Sequence, residues 1–455
     1  TLWHCRSGDS HAYRYVSEGQ QPSEQIALGT GVTSVTKVAS TRFGAADFLA
    51  VQNGESVLFH YTSPYAFKTS NRYWSGGVDD VAVGAASVFL LAGTPPDTYQ
   101  VVALDAQTGV ERWTYMYPTA ESDTIHFAPV FDPAQALVYV FMAGGAVTAL
   151  NAHTGSVVWA LQLAQLIAAQ PLLGSSIIYI PCAVNILNSP DYNQVYMIAV
   201  DAADATRRAA AGQTPVIAWE NELTPGGSSP ILAPPVYQAG NVYCWAWSAY
   251  DNVTDLLSLY KFDALTGAVQ WSGVPYYLPQ QASPALVAPV ILPASGTPLL
   301  VVNTGQSVMA FDLQMGNSVA AYVLPDAATG VTINSTLELY DRAVYFTDTG
   351  GLLYGLDASL KPVAGLPSQV TASAILSGLR ILPDAQGQGV VIFGDPVTDN
   401  LNFYSIATGN SAALATNQTQ TRVMSPITSD GMLYVGGWNT QDDSLGQIFA
   451  IRAND

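Results

Sequence analysis

The side chains of this sequence best suited to chemistry are carboxylates in turn-rich stretches. Asp442 and Asp443 adjoin in NTQDDSLG, and adjacent carboxylates can share a hard cation such as calcium. Comparable stretches carry Asp97 (GTPPDTYQ), Asp191 (NILNSPDYNQ), Asp251 and Asp255 (SAYDNVTD), and Asp395 and Asp399 (DPVTDN). Asp, Asn and Pro also form turns for local reasons, and that plainer reading weighs more than the metal. The five His residues, His4, His11, His60, His126 and His153, show no HExxH spacing, and no GxSxG elbow occurs. Spacing therefore selects no catalytic or cofactor-binding residue, and Asp442 and Asp443 stand as the metal candidates.

Three Cys residues occur, Cys5, Cys182 and Cys244, with no CxxC and no zinc spacing. Cys182 and Cys244 form a candidate disulfide; two separate buried thiols are the equal alternative. Three Asn-x-Ser/Thr triplets, at Asn252, Asn334 and Asn417, are candidate glycosylation sites. A processed extracellular or lumenal protein, periplasmic in a bacterium, would begin as this chain does, at Thr1 without Met, and so would a trimmed one.

The 455 residues are 49% hydrophobic and 11% charged, an ordered globular balance. With 34 acidic against 15 basic residues the net charge is −19, and only Lys37, Lys68, Lys261 and Lys361 are lysines. A basic groove for nucleic acid cannot be built from so few cations. Residues 156–188 lack charge but contain Pro171, Gly174 and Pro181. A membrane helix needs about 20 predominantly apolar residues in one piece, so this stretch reads as buried strand.

The elements that must position these residues announce themselves as a repeat. VVALDAQTGVERW at 101–113 returns as VTALNAHTGSVVW at 147–159 and LYKFDALTGAVQW at 259–271. Equivalent strand ends fall at His60, Asp105, Asn151, Asp201, Asp263, Asp312, Asp357, Ala407 and Arg452, spaced by 45, 46, 50, 62, 49, 45, 50 and 45 residues. Such a period means a propeller, solenoid or array, and each period holds four short alternating strands, one propeller blade. The acid or amide closes the third strand in a turn that Gly109, Gly155 and Gly267 complete. Trp113, Trp159 and Trp271 then return on the outer strand to dock neighbouring blades, and Trp219 reads as the same residue displaced by an insertion. The expected fold is all-β, a single propeller over residues 1–455. Nine units can be counted, so eight or nine blades are expected. Residues 1–30, with Trp3, are expected to complete the last blade at 425–455 and close the ring.

Residues Ala103–Trp113 and Ala149–Trp159 resemble the pyrroloquinoline-quinone-type propeller repeat, A-x-D-x-x-T-G-x-x-x-W, with Asn151 in place of the Asp. The match is good at Lys261–Trp271 and partial around Asp312 and Asp357. The resemblance implies an eight-bladed ring. Its dehydrogenases imply a quinone beside a disulfide of adjacent cysteines, a calcium held by Glu, Asn and Asp, and a stacking Trp. No adjacent Cys pair exists in this sequence, and none of that set can be matched residue by residue. The chain thus resembles the non-enzymatic members, which use propeller faces for protein contacts. The expectation is a secreted or lumenal scaffold that binds a protein partner or itself, with no cofactor beyond a possible calcium. Two alternatives stand beside it: a divergent quinone- or calcium-dependent oxidoreductase, and a carbohydrate-binding propeller using an exposed Trp such as Trp245 or Trp247.

Overall fold

The computed structural model describes residues 81–452 apart from 95–97, 107–109, 117–126, 186–192, 252–253, 280–286, 295, 372–378, 384–386, 396–399, 416–420, 424–426, 430–431 and 440–445. In the first 80 residues it describes five strands by their backbone.

Runs such as Leu137–Phe141 and Ala343–Thr347 are buried at every position, which a strand can satisfy only inside a sheet covered on both faces. Eight antiparallel sheets of this kind follow one another. Blade 1 comprises Val81–Gly84, Ser87–Thr94, Thr98–Asp105 and Glu111–Met116, paired in that order. Blade 2 repeats the pattern with Val130–Asp132, Leu137–Phe141, Ala146–Asn151 and Val157–Gln162. Blade 3 runs to Trp219–Leu223, blade 4 to Val269–Pro279, blade 5 to Ser318–Val323, blade 6 to Ser368–Gln369 and blade 7 to Ser411–Ala415. Inner strands neighbour each other in blade order, and Ile427–Ser429 of blade 8 lies against Val81–Gly84 of blade 1, so the array closes as a ring.

The core lies between the blades. Phe89, Val101 and Trp113 of blade 1 pack on Val138, Val140 and Leu150 of blade 2. The next cluster joins blade 2 to blade 3, and the series continues to the cluster of Tyr345, Leu353, Val391 and Phe393 between blades 6 and 7. This sandwiching explains the charge-free run at 156–188, whose strands Ile177–Asn185 and Leu172–Gly174 lie within blade 3.

Ring closure by a strand from the N-terminal part of the chain holds, but the segment differs from the one expected. Ser56–Ser63 takes the fourth place in blade 8, laddered from Arg452↔Ser56 to Gly446↔Ser63. Within residues 1–30, Leu2–Cys5, His11–Tyr15 and Glu24–Ala27 pair with one another as a separate three-stranded sheet. The physical reason is reach: SVLFHYTS is long enough to follow the whole of Gly446–Arg452, whereas the earlier strands are short and satisfied locally. His60 therefore belongs to the closing strand, the first of the nine counted units is not a blade of its own, and the described residues form eight blades.

Cys182 and Cys244 are free and buried, so of the two readings the candidate disulfide gives way to two separate thiols. Cys182 faces the core between blades 2 and 3, and Cys244 the core between blades 3 and 4. The sheet of blade 3 separates them, and a disulfide needs α-carbons within about 7 Å.

Candidate interaction surface

The motif turns are built alike. Asn151 Oδ1 accepts the amides of His153 and Thr154, and Asp263 Oδ1 those of Leu265 and Thr266. Those hydrogen bonds hold the Asp263 carboxyl below the usual carboxylate range, led by the Thr266 amide. Gly155 closes its turn at φ +70°, and a β-carbon there would sit 2.6 Å from the Trp113 ring. Trp113 of blade 1 thus lies flat on the turn of blade 2 and donates Nε1–H to Ala152 O at 3.0 Å. Trp219 of blade 3 does the same to Ala264 O of blade 4, at 3.1 Å, beside Gly267.

The register makes the equivalence explicit. Trp113 stands opposite Ala103, Trp159 opposite Ala149, Trp219 opposite Ala199 and Trp271 opposite Lys261. The insertion that displaces Trp219 includes a helix, Ala202–Ala210, which begins where Asp201 caps the Asp204 amide. Its Thr206 hydroxyl accepts Trp159 Nε1–H at 3.2 Å, so the helix replaces a motif turn against the outer strand of blade 2.

Between blades 4 and 5 the lock changes. Lys261, buried where blades 1, 2, 3 and 5 have Ala, donates to Leu313 O at 2.9 Å. That carbonyl holds the position of Ala152 and Ala264 in their turns, directly after the Asp or Asn. Trp271 Nε1, buried, is left with no partner. Tyr276 adds a second latch by donating to Gly316 O at 2.6 Å and accepting from the Ser318 amide at 2.9 Å. Burial lowers the Lys261 pKa, with Asp312 opposing the shift.

The second-to-third-strand hairpins define the other face. Asp442, Asp443, Asn252 and Asn417 lie outside the described residues. Asn334, one of the three candidate glycosylation sites, is only 3% exposed, and its backbone N–H donates to Thr347 O, a placement that offers a glycan no room in the folded chain. It is buried because the crossing into blade 6 is sewn to the neighbouring hairpins, with Ile333 N–H donating to Gly305 O. Asp251 is exposed and Asp255 buried. Among the described residues no three of His, Cys, Asp and Glu gather in a metal-binding group. Trp245 is wholly buried and so offers no sugar-stacking face, while Trp247 is half-buried against the same core between blades 4 and 5.

Exposed apolar side chains gather instead on the rim of blades 4 and 5. Leu265 and Met315 stand at consecutive motif turns, and Val269, Val319 and Val323 follow on the outer strands, all half exposed or more. From Asp263 to Glu338 only Asp312 and Asp326 carry charge between them. The Asp312 carboxylate is occupied by the amides of Gln314, Met315 and Asn317. The signal was present in the sequence as this charge-poor stretch, but strand burial and rim exposure look identical in composition.

Among solved structures the chain is similar to BamB from Moraxella catarrhalis, at 14% identity over 82% of this chain and 95% of that one, with a TM-score of 0.50. It is similar to a europium-containing methanol dehydrogenase, at 14% identity over 87% and 93%, with a TM-score of 0.58. A quinohemoprotein alcohol dehydrogenase from Comamonas testosteroni gives 14% identity over 87% and 76%, with a TM-score of 0.56. At such identity these likenesses speak for the fold alone. No curated protein matches in sequence. The family model described as outer membrane protein assembly factor BamB matches residues 62–211 and 198–354, well over half the chain. The eight-bladed ring, the motif turns and this match together make the chain a member of that quinone-type propeller-repeat family.

Proposed function

We propose that this protein is a protein-binding propeller scaffold of an extracellular, lumenal or periplasmic space. The observation that carries the reading is the charge-poor apolar rim of blades 4 and 5, with Leu265 71% and Met315 65% exposed on a chain of net charge −19. Large exposed apolar side chains grouped on a rigid surface mark protein contact. The assembly-factor description of the family supports the same class of role and an envelope location. Glycosylation at Asn252 and Asn417 belongs to this reading in its extracellular or lumenal form, and a mass shift on N-glycan removal tests it. A photo-cross-linking side chain at Met315, introduced in the native host, should give discrete adducts. The same probe at Thr114, exposed on blade 1 across the ring, should not. Equal adduct formation at both positions, or none at Met315, would refute the reading.

A further inference from the structure

We propose that the outer strand of blade 5, Ser318–Val323, pairs antiparallel with the same strand of a second copy of this chain, centred on Ala321. The proposal rests on the docking reading above and gives that rim its partner.

Outer strands are free edges, and soluble proteins protect them with charge, proline, shortness or a cover. Blade 1 ends in a strand with Glu111 and Arg112, and blade 3 in one with Glu220 and Glu222. Blade 4 has Pro275 and Pro279 in its edge strand, and blade 6 offers only two residues. The uncharged edge of blade 2 is packed against the helix Ala202–Ala210. Among the described residues blade 5 has none of these devices, and blade 7 shares that only over the shorter edge Ser411–Ala415; the blade 5 edge reads SVAAYV, with Val319, Ala321 and Val323 exposed.

The backbone is ready for a partner. Leu324 N–H donates inward to Gln306 O at 3.0 Å, so by strand alternation the amides of Val323 and Ala321 point away from the sheet. A two-fold axis at Ala321 sets Val319 of one copy opposite Val323 of the other, giving apolar cross-strand pairs. Asp326 then falls opposite Gly316, which keeps acids of the two copies apart.

Charge selects a second copy as the occupant. Two chains of net charge −19 repel over most of their surfaces and can meet closely only across a charge-poor sector. Blade 5 is such a sector and supplies both halves of a self-complementary register. An edge of six residues a side is small, below the roughly 1,200 Å² of standard interfaces, so the dimer is weak and added salt strengthens it by screening.

The test is sedimentation velocity of the purified full-length chain over a concentration series at low and high salt. The wild type should form a dimer, more at higher concentration and higher salt. V323K and A321P should weaken it by about tenfold or more while the thermal midpoint holds, because one side chain is 62% exposed and the other amide faces outward. A412K, at an exposed alanine on the edge of blade 7, should leave the dimer intact. A wild type that stays monomeric up to about 1 mM, or a dimer indifferent to both blade 5 variants, overturns the proposal. If the isolated chain is monomeric yet Met315 cross-links to another protein, only the dimer falls; if neither occurs, the docking reading falls with it.

Discussion

Two tryptophans in equivalent positions should respond differently to the same substitution. Trp113→Phe removes the indole N–H that reaches Ala152 O at 3.0 Å and leaves that turn carbonyl without its donor. An unsatisfied buried acceptor costs about 1–3 kcal/mol, and the smaller ring sacrifices packing on the order of 1 kcal/mol more. Trp271→Phe removes an N–H that has no partner, because Lys261 already occupies the Leu313 carbonyl. Only the packing loss remains there, so W271F should cost about 1 kcal/mol or less and W113F about 2–4 kcal/mol. Urea unfolding followed by far-ultraviolet circular dichroism measures both, and the comparison is sound where the denaturant slopes agree. Lys261→Ala restores the residue found at Ala103, Ala149 and Ala199 and vacates the Leu313 carbonyl. In that background W271F should become costlier by about 1 kcal/mol, the coupling expected once the indole takes over the hydrogen bond. A W271F cost equal to that of W113F, with no change on adding K261A, would refute the reasoning.

Gly155→Ala should destabilise by about 3 kcal/mol or more, since strain at φ +70° adds to a β-carbon 2.6 Å from Trp113. Gly212→Ala, at φ +71° with open space around it, should cost only about 1 kcal/mol in the same unfolding assay. Burial pushes the Cys182 and Cys244 thiols up, so a thiol reagent at mildly alkaline pH should reach neither until the chain unfolds. Burial likewise raises Tyr139, Tyr179, Tyr260 and Tyr354. These groups are neutral in the native chain and ionise sooner when unfolded. Their contribution is therefore whole below about pH 8.5 and falls as pH climbs past the unfolded thiol and phenol values, near 8.5 and 10. Urea midpoints should be flat from neutrality to that point and then decline; a rise there would contradict the burial of these groups.

What the sequence reveals of this ring follows from which contacts are local. Asn151, Asp263 and Asp312 were legible as strand ends because each Asp or Asn organises a turn from its own neighbours. Trp219 was legible as a motif residue displaced by an insertion; the helix in front of it was not read. The signal for that helix exists, in an Asp201 cap, Asp204 in the first turn and Arg207 and Arg208 in the last. Closure was misplaced because strand pairing between the two ends of a chain leaves no local mark. SVLFHYTS resembles a third strand and lacks only the turn that would follow one. Asn334 failed for a related reason: a triplet that looks like exposed loop is buried by hydrogen bonds from Asn334 to Thr347 and from Ile333 to Gly305, and such partners are invisible to a window of three residues. Lys261 is the instructive intermediate. Its lysine at an alanine position was visible as a break in the motif, but its meaning required the Leu313 carbonyl of the next blade. A repeat teaches most where it deviates: the unit with the altered lock borders the rim where charge disappears. Identical blades suffice to close a ring, so a surface that singles out one sector must be sought in the differences between them.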